Sequence, residues 1–363
     1  MTTRTMSSEY MLWAKTQQAA RFTLAVSGMP SLKLADLGAT LDDLELSRPG
    51  AYGYPPLQEA LAAKCGVSAD CVVAAEGTSF ANHLAMAAII EAGDEVLCEH
   101  PVYTLLTDTL AYLGAQIRLF DRPAENGFDL DPERIERALT PRTKLICLTN
   151  LHNPSSSFMP EETLAHVGAI ARKAGARVLV DEVYLDAVWE PAPRSAFHLG
   201  PEFVTTNSLT KIYGLSGLRC GWILAEPELA RRMWRLNDLF GVNAAHPGER
   251  LSVVALRKLP EIAGRVRALL ETNRALLNEF LASHEEAIEC RPLQFGTVCF
   301  PRLRRGNGDA FCAMLRERFE TSIVPGRFFG MAGHFRLGIA QDTAQLREGL
   351  SRLGEALRSH SAI

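Results

Sequence analysis

NSLTKIYGLSGLRCGWILA, residues 207–225, is the stretch on which the reading of this chain turns. Lys211 stands three positions past the end of the strand-like run FVTTNS (203–208), preceded by Ser208 and Thr210, and leads into a glycine-punctuated turn and a second strand pattern, GWILA (221–225). In an open α/β sheet, ligands collect outside the carboxyl ends of the strands, so Lys211 is aimed at the expected site. A lysine after a strand is more often only a surface residue, but its neighbours argue otherwise. Arg219 stands eight positions on, where turn passes into buried strand. A cation there calls for an anionic partner, because unpaired burial is costly.

Outward from this segment, short apolar runs alternate with longer amphipathic ones. CVVAA (71–75), EVLCE (95–99), QIRLF (116–120), KLICLT (144–149) and RVLVD (177–181) join the two runs above as strands. With little polar alternation, they read as strands buried on both faces. Helical patterns fall between them at 81–92, 102–114 and 160–175; the last opens at Pro160 with Glu161 and Glu162 and closes at Gly175. The implied architecture is α/β, a mostly parallel sheet flanked by helices. Beyond residue 245 a long helical stretch, interrupted at Pro260, gives way to short strands mixed with helices. We expect a large domain over 46–255 and a smaller α+β domain from 1–45 and 256–363, with a mobile amino-terminal segment.

The bulk properties narrow the classes. A chain of 363 residues, 47% hydrophobic and 22% charged with net charge −4, is long enough for a large core or two unequal domains, and has no long basic block for nucleic acid. The amino terminus is polar and no apolar run is long enough to span a bilayer, which predicts no membrane association and a cytoplasmic location. Eight scattered cysteines without a CxxC pair read as buried thiols, neither a disulfide framework nor a metal site.

Further residues carry candidate chemistry. Asp181 ends an all-apolar strand, with Tyr184 three positions later; the carboxylate either caps the next segment or pairs with a cationic cofactor group. At about 4 Å and an effective dielectric near 20, such a pair is worth up to roughly 4 kcal/mol before desolvation. Gly77-Thr78-Ser79 opens a helix and offers a phosphate cradle, although Ser and Thr are also ordinary caps. Asn150 and Asn153 lie in a polar turn, and Asn before Pro is first of all a turn former. Tyr103 either stacks on an aromatic plane or packs in the core. Arg336, inside the apolar run HFRLGIA, suits bidentate binding of a carboxylate.

Taken in order, SLTKIYGLSGLRCGW, DEVY, HNP, the Gly-Thr-Ser turn and FRL resemble the aminotransferase class I/II family, the fold type I pyridoxal-phosphate enzymes. The resemblance runs from SGMP near residue 27 to Arg336. It implies pyridoxal 5′-phosphate bound to Lys211 as a Schiff base, with Lys211 then moving the substrate's α-proton. Asp181 would pair with the pyridine nitrogen. Tyr184 and Asn153 would hold the phenolic oxygen, and Tyr103 would stack on the ring. Gly77, Thr78, Ser79, Ser208 and Arg219 would hold the phosphate. Arg336, with Asn153 and Gly28 beside it, would receive the amino acid. No metal is implied. The resemblance also implies a homodimer with interfacial sites, and Tyr52 is the favoured tyrosine to reach the partner's phosphate. The turn departs from the family's Asn-Pro-x-Asn-Pro-Thr-Gly, because Ser155-Ser156 stand where Thr-Gly is usual.

The expected reaction is transfer of an amino group between an L-amino acid and a 2-oxo acid. A PLP-dependent lyase or an oxygen-dependent amino acid oxidase on the same fold remains open, since the choice depends on substrate pose and solvent access. For side-chain selection, Arg48 is either a second cation or a solvated loop residue. Trp13, Phe22 and Phe158 either line an apolar pocket or belong to the core.

Overall fold

The seven strand patterns join into one sheet. Its order across the computed structural model, which describes residues 5–17, 20–47 and 50–361, is Val72–Glu76, Cys220–Leu224, Phe203–Ser208, Arg177–Asp181, Thr143–Thr149, Glu95–His100, Gln116–Asp121. Cys220–Leu224 runs antiparallel to both neighbours, and every other adjacent pair is parallel. The reason lies in the link lengths. A parallel neighbour needs a long crossover, whereas the short 209–219 turn can only bring the chain back alongside itself.

Strand side chains alternate between the two faces, and both faces of the central strands are apolar, whereas the edge strand Gln116–Asp121 is largely exposed apart from Phe120. Leu145, Cys147 and Leu179 pack beneath the helix Thr78–Ile89, while Ile146, Leu148, Val178 and Val180 pack against Glu161–Ala174 on the other side. This is why those strands carry no polar alternation. The helix Glu161–Ala174 keeps the bounds expected of it, with Gly175 closing it in the left-handed conformation at φ 68°. Thr78–Ile89 begins one turn before its apolar pattern, because Gly77 caps it at φ 80°.

Past residue 245 the helical stretch divides at Lys258 into His246–Arg257 and Leu259–Ser283. Pro260 sits in the first turn of the second helix, where its missing N–H has no helical partner to lose. Short strands follow: Val298–Cys299, Phe335–Gly338 and Val324–Pro325 form one antiparallel sheet. Phe22–Thr23, in a region without a strand pattern, pairs in parallel with Thr321–Ser322 and ties the amino-terminal segment to these elements. Tyr184, Leu209 and Trp222 share one apolar cluster with Leu277, Phe311 and Leu337, so the two parts of the chain pack on a common core.

The eight cysteines are unpaired, six of them buried. Among the described residues no group of His, Cys, Asp and Glu side chains is placed to hold a metal, and no helix is long and apolar enough to cross a membrane.

Candidate active site

A cavity of about 750 Å³ opens at the carboxyl ends of the sheet strands, where Thr149, Asp181 and Ser208 terminate their runs. Arg336 closes it from the short strand Phe335–Gly338, and the helix Glu9–Thr16 lies over it through Tyr10, Met11, Ala14 and Lys15. Lys211, Thr78, Ser79, Tyr103, Asn153, Tyr184 and Arg219 also line it. Residues separated by as much as 326 positions in the sequence meet there, because strand ends converge and the amino-terminal helix packs over them.

Lys211 stays partly accessible through the cavity, with its Nζ 3.2 Å from Ser27 Oγ. The surrounding protein removes water from the amine and lowers its pKa, favouring the neutral form. Tyr184 donates its hydroxyl hydrogen to the same Ser27 Oγ at 2.8 Å. Gly28 comes next, and a Cβ on it would lie 3.4 Å from Lys211 Cδ; Met29 N–H donates to the Lys211 carbonyl at 2.7 Å. The backbone of the amino-terminal segment therefore runs directly against the lysine.

Asp181 is buried. Its Oδ2 accepts from Asn82 Nδ2 at 2.7 Å and its Oδ1 from Val183 N–H at 3.0 Å. Thr206 Oγ1 donates to Asn82 Oδ1 at 2.6 Å and so fixes which way the amide faces. Burial pushes the carboxyl up to about 6 against these hydrogen bonds. A cation brought opposite it would reverse that shift.

Asn153 is held by its backbone N–H, which donates to Thr149 Oγ1 at 3.0 Å; Thr149 Oγ1 in turn donates to Glu99 Oε1 at 2.6 Å. Glu99 is itself ion-paired with Arg122 at 2.6 Å, and both side chains are fully buried. The Asn153 side chain accepts from Arg336 Nη1 at 3.0 Å. In the altered turn, Ser156 takes the left-handed conformation at φ 61° that suits glycine, and its hydroxyl donates to the Val298 carbonyl at 2.7 Å. The substitution therefore keeps a left-handed turn and adds a hydrogen bond to a strand of the smaller part.

An anion cradle lies beside Lys211. It combines the amino-terminal end of the helix Thr78–Ile89, the hydroxyls of Thr78 and Ser208 (2.8 Å apart), Thr210 and Arg219. Arg219 donates to the carbonyls of Glu76 and Ser216. A Cβ at Gly77 would run into the Arg219 guanidinium, so only glycine admits it. Thr210 Oγ1 is buried without a hydrogen-bond partner among the described residues. A phosphate would satisfy these donors, and the buried Asp181 would face a ring lying between cradle and lysine. The residues present fit pyridoxal phosphate.

Tyr52 lies outside this cavity, 54% exposed, with its hydroxyl donating to Asp238. Arg48 lies outside the described residues. Trp13 packs on Tyr10 and Phe328, and Phe22 sits under the Arg352 guanidinium, so neither lines the cavity. Phe158 faces Phe295 in a separate cavity of about 770 Å³ beyond the 150–158 turn. Sequence reasoning missed Tyr10, Ser27, Asn82 and Thr149. Each is an ordinary polar residue in its local stretch, and only tertiary contact marks it.

Comparison with known proteins agrees with this geometry. The profile of the family described as aminotransferase class I and II matches residues 39–353. The chain is 29% identical to capreomycidine synthase of Streptomyces vinaceus, over 88% of this chain and 83% of that one. It is 27% identical to the arginine–pyruvate transaminase AruH of Pseudomonas aeruginosa, over 79% and 75% respectively. A PLP-dependent aminotransferase from Streptococcus suis superposes with a TM-score of 0.92 at 28% identity, covering 98% of this chain and 99% of that one. The chain belongs to the aminotransferase class I and II family, whose cofactor is pyridoxal phosphate.

Proposed function

We propose that this enzyme transfers the amino group of an L-amino acid to a 2-oxo acid, with Lys211 as the covalent anchor of the cofactor and the group that moves the α-proton. One observation carries the reading: a lysine with a lowered pKa and the buried Arg336, whose Nε lacks a partner, face the same cavity. The first suits a base and the second suits an α-carboxylate.

Bound pyridoxal phosphate supplies the electron sink for the bond broken at the substrate's α-carbon. The chain's own residues choose that bond. Arg336 takes the carboxylate and Asn153 holds the guanidinium in register, which together fix the amino acid's orientation. Tyr103 covers one face of the site. Asp181, kept in place by Asn82 and Val183, would offer its charge to the ring nitrogen. Tyr184 and Asn153 would hold the phenolic oxygen, and Gly77, Thr78, Ser79, Ser208, Thr210 and Arg219 would hold the phosphate. Lys211 accepts the α-proton through its neutral amine and returns it on the far side of the reaction.

The experiment is to add single amino acids to the yellow enzyme and follow its visible absorbance. Loss of the band with one amino acid, and its return with a 2-oxo acid, is the expected result. A band that returns only when free cofactor is supplied would end the transaminase reading.

A second reading draws on the relative named capreomycidine synthase, which is not named as a transaminase. Under it, the same residues serve a lyase reaction that releases ammonia, or an oxidase reaction that consumes oxygen and releases hydrogen peroxide, in either case without an acceptor acid.

We also propose a cytoplasmic homodimer, with a large domain over 46–255 and a smaller one from 1–45 and 256–363. The exposed apolar side chains of Leu239 and Val242, which follow the Asp238 that Tyr52 bonds, support a covered face near Tyr52, and Tyr52 would then reach the partner's phosphate.

A further inference from the structure

The helix Glu9–Thr16 buries none of its residues, yet it lies across the mouth of the cavity. Its attachment is aromatic. The Tyr10 ring meets Tyr103 edge-on at 5.5 Å and 81°, Phe328 at 5.6 Å and 68°, and Phe329 at 6.1 Å. These contacts push the Tyr10 hydroxyl inward, onto Arg336. Arg336 Nη2 donates to Tyr10 Oη at 3.0 Å and Nη1 donates to Asn153 Oδ1, while Nε is buried with no partner. The phenol oxygen is thus an acceptor toward arginine, and its own hydrogen remains to be donated.

We propose that Tyr10 is the second arm of the substrate-carboxylate clamp. A carboxylate arriving at Arg336 meets guanidinium N–H groups on one side and the Tyr10 O–H on the other. Both are donors, and both lie in a site screened by Phe328 and Phe329. An amino acid therefore completes a set of donors that an amine or an amide leaves partly unmet, and Tyr10 sets the enzyme's selectivity for the free α-carboxylate. The same bond gives the helix Glu9–Thr16 a reason to stay closed when substrate is present. This inference rests on reading Arg336 as the carboxylate site.

The test uses the cofactor-loaded enzyme with propionate as probe and propionamide as its uncharged control, each titrated by calorimetry. No turnover is involved. Wild-type protein is expected to bind propionate in preference to propionamide. Tyr10→Phe keeps the ring packing and removes only the hydroxyl. It is expected to weaken propionate by about tenfold or more, with propionamide unchanged. Equal propionate affinity in Tyr10→Phe and wild type would overturn the proposal while leaving Arg336 in its role. Propionate binding that survives in Arg336→Ala, or that is missing from the wild type, would instead remove the clamp reading on which the proposal stands.

Discussion

Asn153 Oδ1 accepts a hydrogen bond from Arg336 Nη1 at 3.0 Å, and this bond joins the turn after a sheet strand to a strand of the smaller part. Behind Asn153 stand Thr149, Glu99 and Arg122, each held by the next. The cavity-facing arginine is therefore positioned from inside the large sheet. Replacing Arg336 with lysine should keep the charge but lose the planar fork. We expect the KM for the amino acid to rise by at least about thirtyfold, equivalent to about 2 kcal/mol. Steady-state kinetics decides it, and an unchanged KM would place the carboxylate elsewhere.

Lys211→Ala should fold normally and lose the visible absorbance of covalently held cofactor. The rate should drop by about a thousandfold or more, because anchor and base are removed together. Circular dichroism beside the absorbance spectrum separates the two effects. A variant that kept both band and rate would take Lys211 out of its role.

The Asp181 carboxyl, raised to about 6 by burial, is protonated below that pH and charged above it. Opposite a cationic ring nitrogen the carboxyl would stay charged to lower pH, so below about pH 6 binding of the cofactor has to displace a proton from the cofactor-free site. Retention of the cofactor should weaken as pH falls through 6. In Asp181→Asn retention should be weak at every pH, without that step. The reverse sign holds for the cofactor-free fold. Between the ordinary carboxyl range and pH 6 the folded state binds the extra proton, so stability falls as pH rises across that window. Dialysis against pH-stepped buffers, followed by absorbance, measures the first effect.

Ser156 combines a left-handed backbone with a buried hydrogen bond to Val298. Ser156→Gly should change stability little, since relief of about 1 kcal/mol of backbone strain offsets the lost bond. Ser156→Ala keeps the strain and loses the bond, so it should destabilise by about 1–2 kcal/mol more than the glycine variant. Denaturant unfolding of the pair measures the difference, and equal stabilities would refute the account.

The seven strands, the helix over 160–175 and the break near Pro260 were legible because their signals are local. An apolar run, a capping glycine and a helix-starting proline act within a few residues of themselves. That Lys211, Asp181, Asn153, Tyr184 and Arg336 would stand together was also legible, since each lies at or a few residues past the end of a strand, or inside an apolar run. Such a position is costly for a polar side chain unless something binds there. That Cys220–Leu224 runs antiparallel was implied by a turn too short for a crossover, but no residue in the strand itself announces it.

What depended on tertiary structure was the partner of each polar group. Ser27 reaches Lys211 across 184 positions, Asn82 reaches Asp181 across 99, and Tyr10 reaches Arg336 across 326. Hydrogen bonds act over about 3 Å and are indifferent to separation along the chain. A serine, an asparagine or a tyrosine in a helix therefore shows nothing in its own sequence context of what it will meet. Strand order and the packing of the amino-terminal helix bring these groups together. The candidacy of the lysine and the arginine could be read from where they stand along the chain, but the shape of the site around them came from folding.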